Sequence, residues 1–277
     1  HAMLLRVLGV TRSARPRLSG LGFWLLLPGG LLMLASFFLG GASSGWTAYL
    51  PLSAQTIGAG QTLWVASLIV LLLSMGCNAA GFLATILDPP REKSRSPSPF
   101  VVASLISSAL ALISVPVLLA ALIALLVDRL VAGPSFLGGS LGLPLWQNAF
   151  WFFAHPATTI LLLPAIGAVS EIIQATTGNP LVARRSVNIA MVSVGGLGLV
   201  SWGQHMFASG LIQAVRIPFM LTSMAVAIPL AFIVLAWLST LWISKVRFNT
   251  PMLFSLGFIS MFVLAGLFLG MQPPPTW

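Results

Sequence analysis

Two histidines carry the chemistry this sequence could do. His155 lies in the string WFFAHPATTI and His205 in SWGQHMF. Each sits in an apolar stretch, where an ionisable side chain is costly and marks a functional candidate. Neutral imidazoles on consecutive helices could meet and hold a metal ion. Two ligands are few, since zinc or copper usually takes three or four. The plainer reading is that each histidine donates a hydrogen bond to a backbone carbonyl of a neighbouring helix. Around them lie Gln204, Thr158 and Thr159, which are neutral and polar. Glu171 comes near the end of its apolar stretch and reaches towards the interface. It has no second carboxylate at that depth, so no acid–base dyad is visible. The single cysteine, Cys77, sits in an apolar run and reads as a small core residue.

The elements that must position these groups are membrane helices. The chain has 277 residues, 58% hydrophobic and only 6% charged, with a mean hydropathy of +1.02. Soluble domains carry about 25% charged residues, so a water-facing globular fold is excluded. Seven stretches approach or exceed the 20 or so apolar residues that cross the hydrocarbon core: roughly 20–41, 62–87, 99–127, 146–173, 187–213, 216–243 and 250–271. They predict an all-α polytopic bundle forming a single transmembrane domain over 1–277, with no soluble domain and no internal repeat. The pairs Gly29–Gly30 and Gly195–Gly196 predict close helix packing. Trp24, Trp46, Trp64, Trp146, Trp151 and Trp242 fall near span ends and read as an interfacial aromatic belt.

The net charge of +9 could suggest nucleic acid, but its placement argues otherwise. Counting connections alternately puts 11 of the 13 Lys and Arg residues on one side, leaving only Arg129 and Arg216 on the other. The positive-inside rule then places the amino end on the cytoplasmic or matrix side and predicts no nucleic-acid partner. The sequence begins at His1 rather than Met, which predicts a trimmed start or a longer parent chain.

The motif strings carry a resemblance. LWQNAFWFFAHPATTILLLPAIGAVSEII resembles the sixth helix of subunit I of the haem–copper (cytochrome c) oxidases, and MVSVGGLGLVSWGQHMFASGL resembles the seventh, whose signature is WAHHMF. GFWLLLPGGLLMLAS with GWTAYLPLS is similar to the third helix and its following loop. SVPVLLAALIALLVDR is similar to the end of the fifth, AIPLAFIVLAWLSTLW to the eighth, and VRFNTPMLFSLGFISMF to the start of the ninth. Order and spacing agree from Arg15 to about Leu267. The resemblance implies a partial subunit I fold comprising family helices three to nine.

It also implies a site that departs from the family. The family's copper is held by three histidines. His155 and His205 match two of them, and Gln204 stands at the third. Ala157 stands at the glutamate of one proton path, and Thr159 at the tyrosine cross-linked to a copper ligand. Ile233 stands at the lysine of the other proton path. The only tyrosine, Tyr49, falls in a loop. The haem ligands of the family's second and tenth helices have no counterpart in this sequence. The resulting expectation is a non-catalytic, structural or accessory subunit of a larger membrane complex. It would have no cofactor beyond a weakly supported metal ion at His155/His205 and lipids, and its partners would be other membrane subunits and the bilayer. The membrane would be bacterial cytoplasmic or mitochondrial inner. Two alternatives stand beside it: one fragment of a split oxidase reducing oxygen with helices from another chain, and a small transporter or channel reusing the fold. The space between the fourth and fifth spans is expected to be filled by apolar side chains or to hold at most one bound water or ion.

Overall fold

A computed structural model of the chain describes residues 2–88, 97–131, 136–209 and 213–270. The elements in order are α1 (Ala2–Leu8), α2 (Pro16–Phe38), α3 (Leu52–Gln55), α4 (Ala59–Leu87), α5 (Pro99–Leu130), α6 (Gly139–Thr177) and α7 (Arg184–Val200). A 3₁₀ segment (Trp202–Ser209), α8 (Gln213–Ala225), α9 (Ala227–Trp242) and α10 (Thr250–Gly270) follow. No strand occurs among the described residues. Among the described residues six helical stretches are long and apolar enough to cross a membrane; the fifth joins α7 to the 3₁₀ segment and the sixth joins α8 to α9. The seventh expected span is present as α10, but over Thr250–Gly266 it is a shorter apolar helix. The full α10 has 21 residues, which at about 1.5 Å each match the ~30 Å of a hydrocarbon core.

Local sequence explains the boundaries. Pro16 and Pro99 occupy the first turns of α2 and α5, where a missing N–H costs nothing. Ser98 caps α5 by accepting from Val101 N at 3.3 Å. The 39-residue α6 stops at Gly178, whose φ of 71° suits glycine. Hydroxyls inside the spans bond back to their own helix, as Ser108 does to Ser104 O and Ser114 to Leu110 O. That is how a polar group is satisfied in lipid.

Close approach of α2 and α4 rests on small residues. A Cβ on Gly29 would lie 2.8 Å from the Leu71 side chain, and Ser74 Oγ donates to Gly22 O at 2.6 Å. Gly195 packs against Ile106 in the same way. Gly30 and Gly196 meet nothing, so one member of each pair does the packing. Two apolar clusters result. The first joins α4, α5 and the start of α6 around Val65, Leu122, Leu125 and Trp146. The second joins the later part of α6 to α7, α9 and α10 around Leu163, Ile166, Met191 and Trp237.

Hydrogen bonds tie the connections at each end of the bundle. At the end rich in arginine, Ser13 Oγ pairs with Thr85, Asn188 donates to Pro97 O, and Asn179 donates to Ser244. At the other end Arg129 donates to the carbonyls of Ser53, Thr56 and Gly58 and to Thr62. Its neighbour Asp128, itself buried, accepts from Phe136 N at 2.8 Å and Leu137 N at 2.7 Å. This latch of adjacent opposite charges at the foot of α5 holds the segments on both sides of it.

Candidate functional site

α6 and the 3₁₀ segment bring the two histidines together. Pro156 directly follows His155, so residue 156 gives no N–H to the helix ladder. The chain after α7 tightens from α to 3₁₀ at Ser201–Trp202, with Gln204 N donating to Ser201 O. An eight-residue 3₁₀ run is unusually long. At Gly203 it presses so close to the Phe219 ring that a Cβ would clash.

His155 Nδ1 lies 3.0 Å from His205 Nε2 and 3.3 Å from Gln204 Nε2, while His155 Nε2 lies 2.9 Å from Ser201 Oγ. Ser201 spends its only hydroxyl hydrogen on Leu197 O at 2.7 Å. Ser201 can therefore only accept from His155, which makes Nε2 the protonated nitrogen of that ring. Nδ1 is left as an acceptor, for which His205 Nε2–H and the Gln204 amide are the donors. The hydrogen bonds thus form one donor-to-acceptor series, from His205 and Gln204 to His155, from His155 to Ser201 and from Ser201 to Leu197 O. The histidines bond to a hydroxyl and to each other, and not to the backbone carbonyls expected from sequence. Of the expected apolar filling or single bound water or ion, the apolar filling is not what is found: Ser201, Gln204 and His205 each bring a polar atom to His155.

An aromatic group backs the pair. The Trp151 ring stacks on His205 with centroids 3.9 Å apart and planes 7° from parallel. Trp151 Nε1 donates to Tyr49 Oη at 2.6 Å, and Trp146 Nε1 to Thr47 O at 2.9 Å. These two tryptophans belong to a packed cluster with Phe150, and Trp146 is buried. Trp46, though exposed, packs edge-on against Phe150 and Trp151 in the same cluster, whereas Trp24 and Trp242 are exposed at 66% and 91%. Burial of an indole is tolerated where its N–H finds a partner, and those of Trp146 and Trp151 both do.

The remaining sequence candidates fall in different places. Thr159 is buried one turn after His155, facing α7 at Gly198, where a Cβ would come 2.5 Å from the threonine oxygen. Ala157 is half-buried. Ile233 is buried in the second apolar cluster with Trp237 and is not among the partners of the histidines. Glu171 is half-buried, and its Oε1 has no hydrogen-bond partner among the described residues.

Sequence reasoning missed Ser201, Trp151 as a stacking partner, and a serine face. Ser104, Ser107 and Ser108 of α5, with Ser74 and Asn78 of α4, line a cavity of about 490 Å³ against Ile160 of α6. The spacing 104, 107, 108 is one helical face and could have revealed it.

The fold and site define a multi-pass helical membrane protein with an imidazole pair between two consecutive spans. Over residues 1–277 the chain matches the family Cytochrome C and Quinol oxidase polypeptide I, and it belongs to that family. It is 40% identical over 267 residues to a cytochrome c oxidase subunit 1 of Synechocystis, covering 94% of this chain and 48% of the relative. It is 38% identical to that of Thermostichus vulcanus, with the same coverages, and 35% identical to a probable cytochrome c oxidase subunit 1-beta of Nocardia farcinica, covering all of this chain. The chain spans about half the length of these curated relatives.

The resemblance implies copper at this site. The donors present are two imidazoles and a carboxamide whose nitrogen, which has no lone pair to give, points at His155. Among the described residues no three His, Cys, Asp or Glu side chains come together. Copper prefers imidazole or thiolate to an amide. These residues do not fit a three-imidazole copper centre.

Proposed function

We propose that the chain is a non-catalytic member of the oxidase subunit I family, a structural or accessory subunit of a larger membrane electron-transfer complex. One observation carries this reading: at the convergence point of the site, a carboxamide stands beside the two imidazoles and donates to the nitrogen that a metal would need. Thr159 supports it, since a side chain there is sealed against Gly198 and supplies no phenol. Ala157 and Ile233 support it further, because neither can carry a proton. The histidines then act as an interhelical hydrogen-bonded pair fixing the 3₁₀ segment to α6. The chain forms one transmembrane domain with its amino end on the cytoplasmic or matrix side, where the positive-inside rule puts its arginines.

A second reading has its own support. His205 is exposed on the bundle surface, and its Nε2 with His155 Nδ1 stands as close as two ligands of one ion. A neighbouring chain could complete a redox centre there, making this chain one part of a split oxidase.

Pyridine haemochrome spectra and metal analysis of the complex purified from native membranes separate the two. The first reading expects no haem or copper that depends on His155 or His205. Stoichiometric copper lost in His205→Ala, with oxygen consumption lost alongside, would overturn it. Gln204→His adds the third imidazole and is expected to create copper binding that the natural sequence lacks.

A further inference from the structure

We propose that the amino-terminal end of α2 is a binding site for an anionic phospholipid, its phosphate held by Arg15 and Arg17. A groove of about 460 Å³ is lined there by Ala14, Arg15, Pro16, Arg17, Leu18 and Leu21. Both guanidinium groups are exposed, and neither has a hydrogen bond or ion pair among the described residues. No carboxylate lines the groove. A guanidinium left unpartnered beside a membrane surface matches a phosphate by charge and by its forked geometry.

The site is braced. Ser13 Oγ bonds Thr85 at 3.0 Å and Ser19 at 3.3 Å, Ala14 N donates to Thr85 at 3.2 Å, and Arg15 N donates to Ser13. Gly81 lets the chain come this near, since a Cβ there would lie 2.7 Å from Ser19 Oγ. The segment bearing the arginines is thus pinned to the end of α4, which lowers the ordering cost of binding.

The apolar wall separates a lipid from a free anion. From Arg17, Leu21 and Trp24 follow one and two turns along the same face of α2, 50% and 66% exposed, and Leu31 continues the line. A phosphate seated at the arginines would have its acyl chains running down this face into the hydrocarbon core. A free phosphate would gain nothing from that wall.

Native mass spectrometry of the complex, released from nanodiscs containing equal phosphatidylglycerol and phosphatidylcholine, tests the site. Phosphatidylglycerol retention is expected to exceed phosphatidylcholine retention, by on the order of 25-fold if each basic residue contributes roughly fivefold. Arg15→Gln with Arg17→Gln should bring the two near parity. Arg185→Gln with Arg247→Gln, which removes exposed cations at the same end of the bundle, should leave the preference intact. Equal loss in both double variants would mean a diffuse field and overturn the site. So would displacement of the lipid by millimolar inorganic phosphate, the mark of a free-anion site. Should the double variant not assemble, Arg17→Gln alone, with the unaltered protein's lipid preference, decides the matter: parity in the unaltered protein, or an unchanged preference in the single variant, rejects the proposal.

Discussion

The two halves of α6 differ in what holds them. From Leu163 to Ile173 the helix is packed by shape: Leu163, Ile166 and Ile173 are fully buried with Met191, Ile233 and Trp237, and the main polar link is Trp237 Nε1 to Ser170 Oγ at 2.9 Å. From Trp146 to Thr159 the same helix is held through directed contacts: two indole N–H bonds, a stacked histidine, and hydrogen bonds that His155 accepts from His205 and Gln204 and donates to Ser201. In lipid, apolar contact carries no hydrophobic gain between helices, so the first half relies on close packing and the second on polar groups that would otherwise be unsatisfied. The half rich in chemistry is thus also the half in which each single contact is weak.

That contrast can be broken by substitution, read as unfolding free energy in detergent or bicelles. Trp237→Ala in the shape-packed half should have the largest effect, about 3–5 kcal/mol, because a large void opens where no side chain can collapse. A loss below about 1 kcal/mol would mean that half is not packed as described. Asp128→Ala should cost about 1.5–3 kcal/mol, since two backbone N–H groups lose a charged acceptor. Increased proteolysis near residues 136–137 is the accompanying sign. Gly198→Leu overfills the α6–α7 contact at Thr159 and should cost about 1–3 kcal/mol, while Gly196→Leu, which meets open space, should be nearly silent. Similar losses at both glycines would refute the packing assignment. His155→Leu is expected to cost least, about 0.6 kcal/mol and at most about 1.7. A double-mutant cycle with His205→Ala should return a coupling of the same size. Zero coupling would show that the pair is mere proximity.

Much of the bundle was legible because lipid imposes a simple rule: uninterrupted apolar length means a helix. All seven expected stretches contain helix among the described residues; α5 starts at Pro99 as expected, α6 starts earlier, at Gly139, and the fifth leaves α-helix at Val200, with residues 210–212 of its expected range outside the described residues. The meeting of His155 and His205 was legible as a possibility from consecutive spans. Its form was not. Hydrogen-bond direction depended on Ser201, four residues before His205, and nothing in a linear pattern says that Ser201 donates to Leu197 and so fixes the tautomer of a ring on another helix. Trp146, expected at an interface, is buried for a related reason: nearness to a span end is a one-dimensional property, whereas exposure depends on which neighbour covers that face.

Composition and order, then, determined an all-helical membrane protein, its charge asymmetry and its family strings, because these follow from the solvation of each residue taken singly. Tertiary structure decided which polar groups satisfy which. It turned the end of the fifth span from α to 3₁₀, buried Thr159 against a glycine and Ile233 in an apolar cluster, and left Arg15 and Arg17 beside an apolar groove without a partner among the described residues. Those outcomes depend on distances between residues far apart in the chain, and in a medium without water each buried polar atom must find such a partner or remain without one.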